Sequence, residues 1–146
     1  LFEPLGITEY EWVAMPSGEV AAASGLRLRP RDMARIGQLV LNGGEWGGRR
    51  IVSAEWLQES MLPRRSSSYG YQWWLGLSVV GDQVVERTEA KGLGGQRIFV
   101  VPGQKLVVVT TAGLYVNAGL DREGEVTNGI LDDFVLPAIR DLAAPP

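Results

Sequence analysis

The chain contains no cysteine and no histidine. The first absence removes disulfides, thiolate nucleophiles and thiolate metal sites, and leaves the redox compartment open. The second removes imidazole acid/base chemistry, histidine-containing metal sites and the Ser-His-Asp triad. No apolar run reaches the roughly 20 residues that a membrane-spanning helix needs, and none reads as a targeting signal. No block of one charge stands out either: Lys and Arg number 14, Asp and Glu 17, for a net charge of −3. Nucleic acid is therefore not an expected partner, and no membrane segment is expected. The densest basic group, Arg27, Arg29, Arg31 and Arg35, lacks an aromatic platform or a glycine-rich cradle, so it reads as a solvated helix face and its approach. Asp121-Arg122-Glu123-Gly124-Glu125 lacks the ligand spacing of a calcium loop and reads as a charged turn. Neither a metal nor another cofactor is expected.

What is present is an ordinary folded composition. The chain has 146 residues, 45% hydrophobic and 21% charged, about one domain with enough length for a real core. Residues 88–113 organise it. Apolar runs of strand length, rich in β-branched residues and separated by Gly94-Gly95 and Pro102-Gly103, read as an antiparallel meander. An aromatic strand, residues 69–77, precedes it through a turn at Gly81-Asp82-Gln83. Trp73 and Trp74 are adjacent and so point to opposite sheet faces, which suits sheet packing better than a ligand platform.

A helix is expected over residues 30–41, with Pro30 in its first turn, Asp32 at the positive dipole end, Met33, Ile36, Gly37 and Val40 on one face, and Asn42-Gly43-Gly44 as its stop. Residues 45–52 suggest a small hairpin. Ser53 caps a short helix over residues 54–61, which Trp56 is expected to pack down. A C-terminal helix from about Val126 carries Val126, Ile130, Phe134, Ala138 and Leu142 at i, i+4 spacing, and Pro137 should bend or restart it. The fold class is α+β: an antiparallel meander packed by a C-terminal helix, plus a short helical segment. Residues 1–65 form the helical and loop part, and residues 69–146 the sheet and C-terminal helix. The apolar opening, Leu1-Phe2-Glu3-Pro4-Leu5-Gly6-Ile7, reads as the middle of something longer.

Without histidine and cysteine, nucleophilic chemistry would fall to a Ser or Thr activated by Lys or Tyr, or to paired carboxylates. Yet no serine has a lysine three residues later, so the chain contains no Ser-x-x-Lys nucleophile box.

Several separated motifs, in order, carry a resemblance. They are the opening segment, Ser24-Gly25-Leu26-Arg27-Leu28-Arg29-Pro30-Arg31-Asp32-Met33-Ala34, Trp56, Tyr69-Gly70-Tyr71-Gln72-Trp73-Trp74, Gly94-Gly95-Gln96 and Phe99-Val100-Val101-Pro102. Together the chain resembles the C-terminal part of the serine β-lactamase and penicillin-binding superfamily, nearest to class C β-lactamases, β-lactamase-like esterases and 6-aminohexanoate-dimer hydrolases. The resemblance implies a partial β-lactamase/transpeptidase-like fold, with Ser-x-x-Lys and Tyr-x-Asn boxes upstream of Leu1. This chain would then be a fragment without its nucleophile and inactive alone. Tyr115-Val116-Asn117 matches Tyr-x-Asn literally but follows the sheet, and reads as chance.

The third family box, usually Lys-Thr-Gly or a variant, is best matched by Ala90-Lys91-Gly92. Alanine in the first place counts against penicillin-like substrates and suits an esterase or amidase. By the resemblance, the backbone N–H of Leu93 is one oxyanion donor and the missing serine supplies the other. The plainer readings are a solvated strand lysine for Lys91, a tight hairpin turn for Leu93-Gly94-Gly95-Gln96, and decoration of that hairpin for Gln96 and Arg97. Lys91, Gly92 and Leu93 are the candidate site residues. The resemblance implies a small-molecule acyl substrate for the intact parent, with ester, amide and β-lactam bonds all open. Partners for this chain would be the missing N-terminal part of the domain or a second copy. The family is often periplasmic or secreted, and the compartment stays open. The alternative is a noncatalytic binding or interaction domain that keeps the scaffold with an eroded active site.

Overall fold

The computed structural model describes residues 1–64, 66–115 and 122–139. A 3-10 turn at Glu3–Leu5 leads into a hairpin of β1 (Tyr10–Trp12) and β2 (Leu26–Leu28), paired antiparallel with Tyr10 opposite Leu28. Helix α1 (Pro30–Leu41) follows. Arg29 is extended, as a residue before proline should be, and Pro30 starts the helix where a missing N–H costs nothing. Asp32, in the first turn, is buried, and its carboxylate takes a 2.6 Å bond from Arg35 Nη1. Gly43 and Gly44 have positive φ and end the helix as expected.

The small hairpin, β3 (Glu45–Trp46) and β4 (Arg49–Arg50), turns through Gly47-Gly48. Helix α2 (Ala54–Ser60) is capped by Ser53 Oγ, which accepts from the Trp56 N–H at 3.1 Å. Trp56 does not pack this helix down. It is 54% exposed and stacks on Tyr71 with ring centroids 5.8 Å apart, while the neighbouring Leu57 and Ser60 supply the helix's buried contacts.

The expected meander is a sheet of β5 (Trp74–Val80), β6 (Gln83–Gly92), β7 (Gln96–Val101) and β8 (Leu106–Thr110), ordered β5-β6-β7-β8 and antiparallel throughout. The aromatic strand starts later than the sequence suggests. Gln72 sits at φ 65, which breaks extended pairing and delays β5 until Trp74.

Helical layers lie on both sheet faces. Gly37 brings α1 so close to β7 and β8 that an added Cβ would lie 2.6 Å from Val107 Cγ1 and 2.8 Å from Ile98 Cγ2. On the other face, Phe99, Val101 and Val85 pack with Leu131 and Leu136 in one core cluster. A second cluster joins Leu5, Ile7 and Leu39 with Ile36, Trp46 and Val52. The Leu75, Leu77 and Val79 face of β5 is barely covered, with Leu77 and Val79 mostly exposed.

The C-terminal helix also differs from its expected form. Helix α3 (Glu123–Gly129) widens into a π-helical stretch, Ile130–Val135, then tightens into a 3-10 turn, Leu136–Ala138, that contains Pro137. Proline has no N–H for the regular ladder, so a change of helical pitch there is the bend the sequence implied. Its buried positions are Thr127, Leu131 and Leu136, whereas Phe134 is 72% exposed and Ile130 is also exposed. The stripe through Val126, Ile130 and Phe134 therefore faces largely outward, one position off the face that covers the sheet. Leu142 lies outside the described residues. Among the described residues no helix is long and apolar enough to cross a membrane.

Candidate active site at the turn between β6 and β7

Strict alternation along β6 puts Val85, Arg87, Glu89 and Lys91 on one face, the one covered by α3 and its continuation. From sequence, Lys91 reads most plainly as a solvated strand lysine. In the structure Lys91 joins Arg87 and Glu89 in the floor of the candidate site.

Glu89 is 2% exposed and lies between three cations: Lys91 Nζ at 3.2 Å, Arg87 Nε at 3.7 Å and Arg97 Nε at 3.9 Å. Arg87 also bonds the Leu77 carbonyl at 3.1 Å, the Ser78 hydroxyl, and Asp132 Oδ1 at 3.3 Å. Burying such charges is tolerable only when they are paired, and here each sign has its opposite within reach. Lys91 is not a free solvated lysine. Its Nζ is held by Glu89 and lies 4.7 Å from the centroid of the Trp74 ring.

Gly92 ends β6 opposite Gln96, and Leu93-Gly94-Gly95 makes the tip, with Gly94 and Gly95 at φ 80 and 91. A Cβ on Gly94 would lie 2.2 Å from Tyr115 Cε1, so glycine lets the Tyr115 ring close over the turn. Side chains and backbone fix nearly every peptide of this tip. Arg97 Nη1 donates to Gly92 O at 2.9 Å, Leu114 N–H to Gly94 O at 3.1 Å, and Thr110 Oγ1 to Gly95 O at 3.1 Å. Gln96 Nε2 reaches Ala112 O at 2.5 Å and the Tyr115 hydroxyl at 3.1 Å. Gln96 and Arg97 thus brace the hairpin instead of decorating it.

The Glu123 carboxylate accepts from Gly94 N–H at 2.7 Å and from Arg97 Nη2 at 3.2 Å. Partial burial pushes its pKa up, but the Arg97 bond and charge and the N–H groups of Gly94 and Gly95 outweigh that and hold it below the ordinary value. None of these bonds engages the Leu93 N–H, and the Leu93 side chain is exposed. Strand β5 begins at Trp74 opposite Glu89, so among the described residues Ala90, Lys91 and Gly92 have a ladder partner only on β7. The arrangement is a rigid strand end with one edge uncovered, which is what a preorganised backbone donor requires.

Lys91, Gly92 and Leu93 therefore fall together at one end of the sheet. Glu123, read from sequence as part of a charged turn, joins the candidate site in the structure; no local pattern links it to Gly94. Tyr115 touches the turn, while Val116 and Asn117 lie outside the described residues. An open groove of about 720 Å³ is lined by residues that include Met61, Leu75, Leu77, Glu86, Arg87 and Thr88, and so meets the charged floor at Arg87 but not at the turn. Among the described residues no cluster of carboxylates could hold a metal ion.

Solved structures with this fold are β-lactamase-like. A protein from Bacteroides dorei DSM 17855 assigned as a beta-lactamase matches 88% of this chain and 48% of its own, with a TM-score of 0.57 and 16% identity. One from Bacillus anthracis assigned as a 6-aminohexanoate-dimer hydrolase matches 88% of this chain and 34% of its own, with a TM-score of 0.63 and 24% identity. In sequence, the chain is 32% identical over 105 residues to the 6-aminohexanoate-dimer hydrolase of Paenarthrobacter ureafaciens, a match that covers 60% of this chain and 25% of that protein. No family model matches. The fold is thus β-lactamase-like, and the sequence is similar to a 6-aminohexanoate-dimer hydrolase of whose length the chain spans about a quarter.

Proposed function

We propose that this chain is the C-terminal portion of a β-lactamase-like serine hydrolase that cleaves ester, amide or β-lactam bonds through an acyl-enzyme, with Lys91, Gly92 and Leu93 at its active-site edge. The observation that carries the reading is the braced turn, which among the described residues leaves the Leu93 N–H out of its own bonding network at an unpaired strand edge. In this role the Leu93 N–H donates to the oxyanion that develops when a serine attacks the acyl carbon. A donor so placed lowers the barrier by about 3 kcal/mol. The nucleophile and its lysine belong to residues outside this sequence, because no serine here has a lysine three residues on. Alone, the chain is inactive. The small-molecule acyl substrate is met by the intact parent, whose remaining part, or else a second copy, covers the exposed apolar face of β5.

A second reading, a noncatalytic scaffold with an eroded site, is favoured by the engagement of Lys91 with Glu89 and Trp74, which gives that side chain a purely structural occupation. A longer product that includes the residues before Leu1 separates the two. Treated with a fluorophosphonate, it should be labelled once, on a serine outside residues 1–146, and Leu93→Pro should slow acylation about 100-fold. Failure of the longer product to label would support the noncatalytic scaffold.

A further inference from the structure

Glu123 stands at the start of α3, yet both its carboxylate oxygens are spent on the turn between β6 and β7: Oε2 on the Gly94 N–H at 2.7 Å and Oε1 on Arg97 Nη2 at 3.2 Å. Arg97 is 3% exposed and itself donates from Nη1 to Gly92 O and Gln96 O, the two residues that flank the tip. One carboxylate therefore grips the tip directly, through Gly94, and indirectly, through the cation that holds its two stems. Leu93 lies between those holds.

We propose that Glu123 is a positioning residue: its carboxylate holds the Leu93-Gly94-Gly95 turn in the shape that presents the Leu93 N–H, and thereby fixes that shape to the first turn of α3. This role rests on the acyl-enzyme reading of Leu93; the clamp itself does not.

The clamp has a definite pH dependence. A carboxyl held below its ordinary value stays ionised throughout the neutral range, so the grip is complete there and is lost as pH falls through the lowered value. The charged and titratable groups around Glu123 are Arg97 on β7, Glu89 and Lys91 on β6 beyond it, Tyr115 after β8, and Arg122 and Glu125 on the same helical end. Among the described residues, Arg97 is the charged group in contact with the carboxylate, so a titration sensed at the Gly94 amide reports Glu123.

The test is an amide NMR titration of this chain, labelled with nitrogen-15. The Gly94 and Gly95 amides should shift together with one midpoint below the ordinary glutamate value of about 4.3, while the tryptophan indole signals stay native. In Glu123→Gln that titration should vanish, and exchange of the Gly94 amide with solvent should quicken about tenfold, as expected for loss of a partly exposed, charge-assisted bond. Absence of the shift in the wild-type chain, or unchanged exchange in the variant, would overturn the proposal. If Glu123→Gln does not fold, the wild-type titration alone decides. Neither readout involves a substrate. A clamp that titrates beside full-rate acylation by Leu93→Pro in the longer product would remove the oxyanion reading and leave the clamp. A clamp that fails beside slowed acylation would do the reverse.

Discussion

Gly37 in the middle of α1 sets two effects against each other. In an isolated helix, Gly37→Ala should stabilise by about 1 kcal/mol, because alanine is the better helix former. In this structure the new methyl would lie 2.6 Å from Val107 Cγ1 and 2.8 Å from Ile98 Cγ2, distances that require one partner to move. Both partners are β-branched residues on paired strands, with little rotamer freedom to yield. Overpacking of this kind costs about 1–3 kcal/mol, so the clash wins and the net effect is a loss of about 1 kcal/mol. With a urea m-value of about 2 kcal/mol/M, the unfolding midpoint should fall by about 0.5 M. Tryptophan fluorescence is a convenient monitor, as the chain has five tryptophans. A midpoint that rises in Gly37→Ala would refute the close approach of α1 to the sheet.

Three further substitutions probe the charged floor and the turns. Glu89→Ala should cost about 3–5 kcal/mol, because it leaves buried guanidinium groups without their counter-charge; a loss under about 1 kcal/mol by urea unfolding would contradict the burial of Arg87 and Arg97. Ser78→Ala should cost about 1–3 kcal/mol, as its hydroxyl donates to Asp132 Oδ1 at 2.6 Å and accepts from Arg87, and the same assay would expose an error if the midpoint did not move. Lys105→Gly should stabilise by about 0.5 kcal/mol: Lys105 is exposed at φ 49, a left-handed conformation costing a side-chain residue about 1–2 kcal/mol, against the greater unfolded-state freedom of glycine. A lower midpoint would show that the turn between β7 and β8 is built differently.

Local chemistry made much of the fold legible. The Gly94-Gly95 and Pro102-Gly103 breaks mark the strand ends of the meander, Pro30 and Gly43-Gly44 bound α1, and Ser53 caps α2, each through a constraint that acts within a few residues. What could not be read depends on the second layer. Arg87, Glu89 and Lys91 alternate just as a solvent-facing set would, and only the packing of α3 and its continuation turns them into a buried network. The outward placement of Ile130 and Phe134 follows from which side of the C-terminal helix meets Phe99 and Val101, which an i, i+4 pattern present on adjacent stripes leaves undecided. The resemblance singles out Ala90-Lys91-Gly92 as a box with Leu93 just after it. Their brace was not, because Glu123 is far from Gly94 in sequence and meets it only through the return of the chain over the sheet.

The central claim is that this chain supplies the oxyanion edge of a serine hydrolase and not its nucleophile. Its most direct test is the intact mass of the purified chain after incubation with a reactive fluorophosphonate. The account predicts an unchanged mass, with every serine of residues 1–146 unmodified. A stoichiometric adduct on one serine would show that the chain carries an activated nucleophile of its own, and would contradict the placement of the active site.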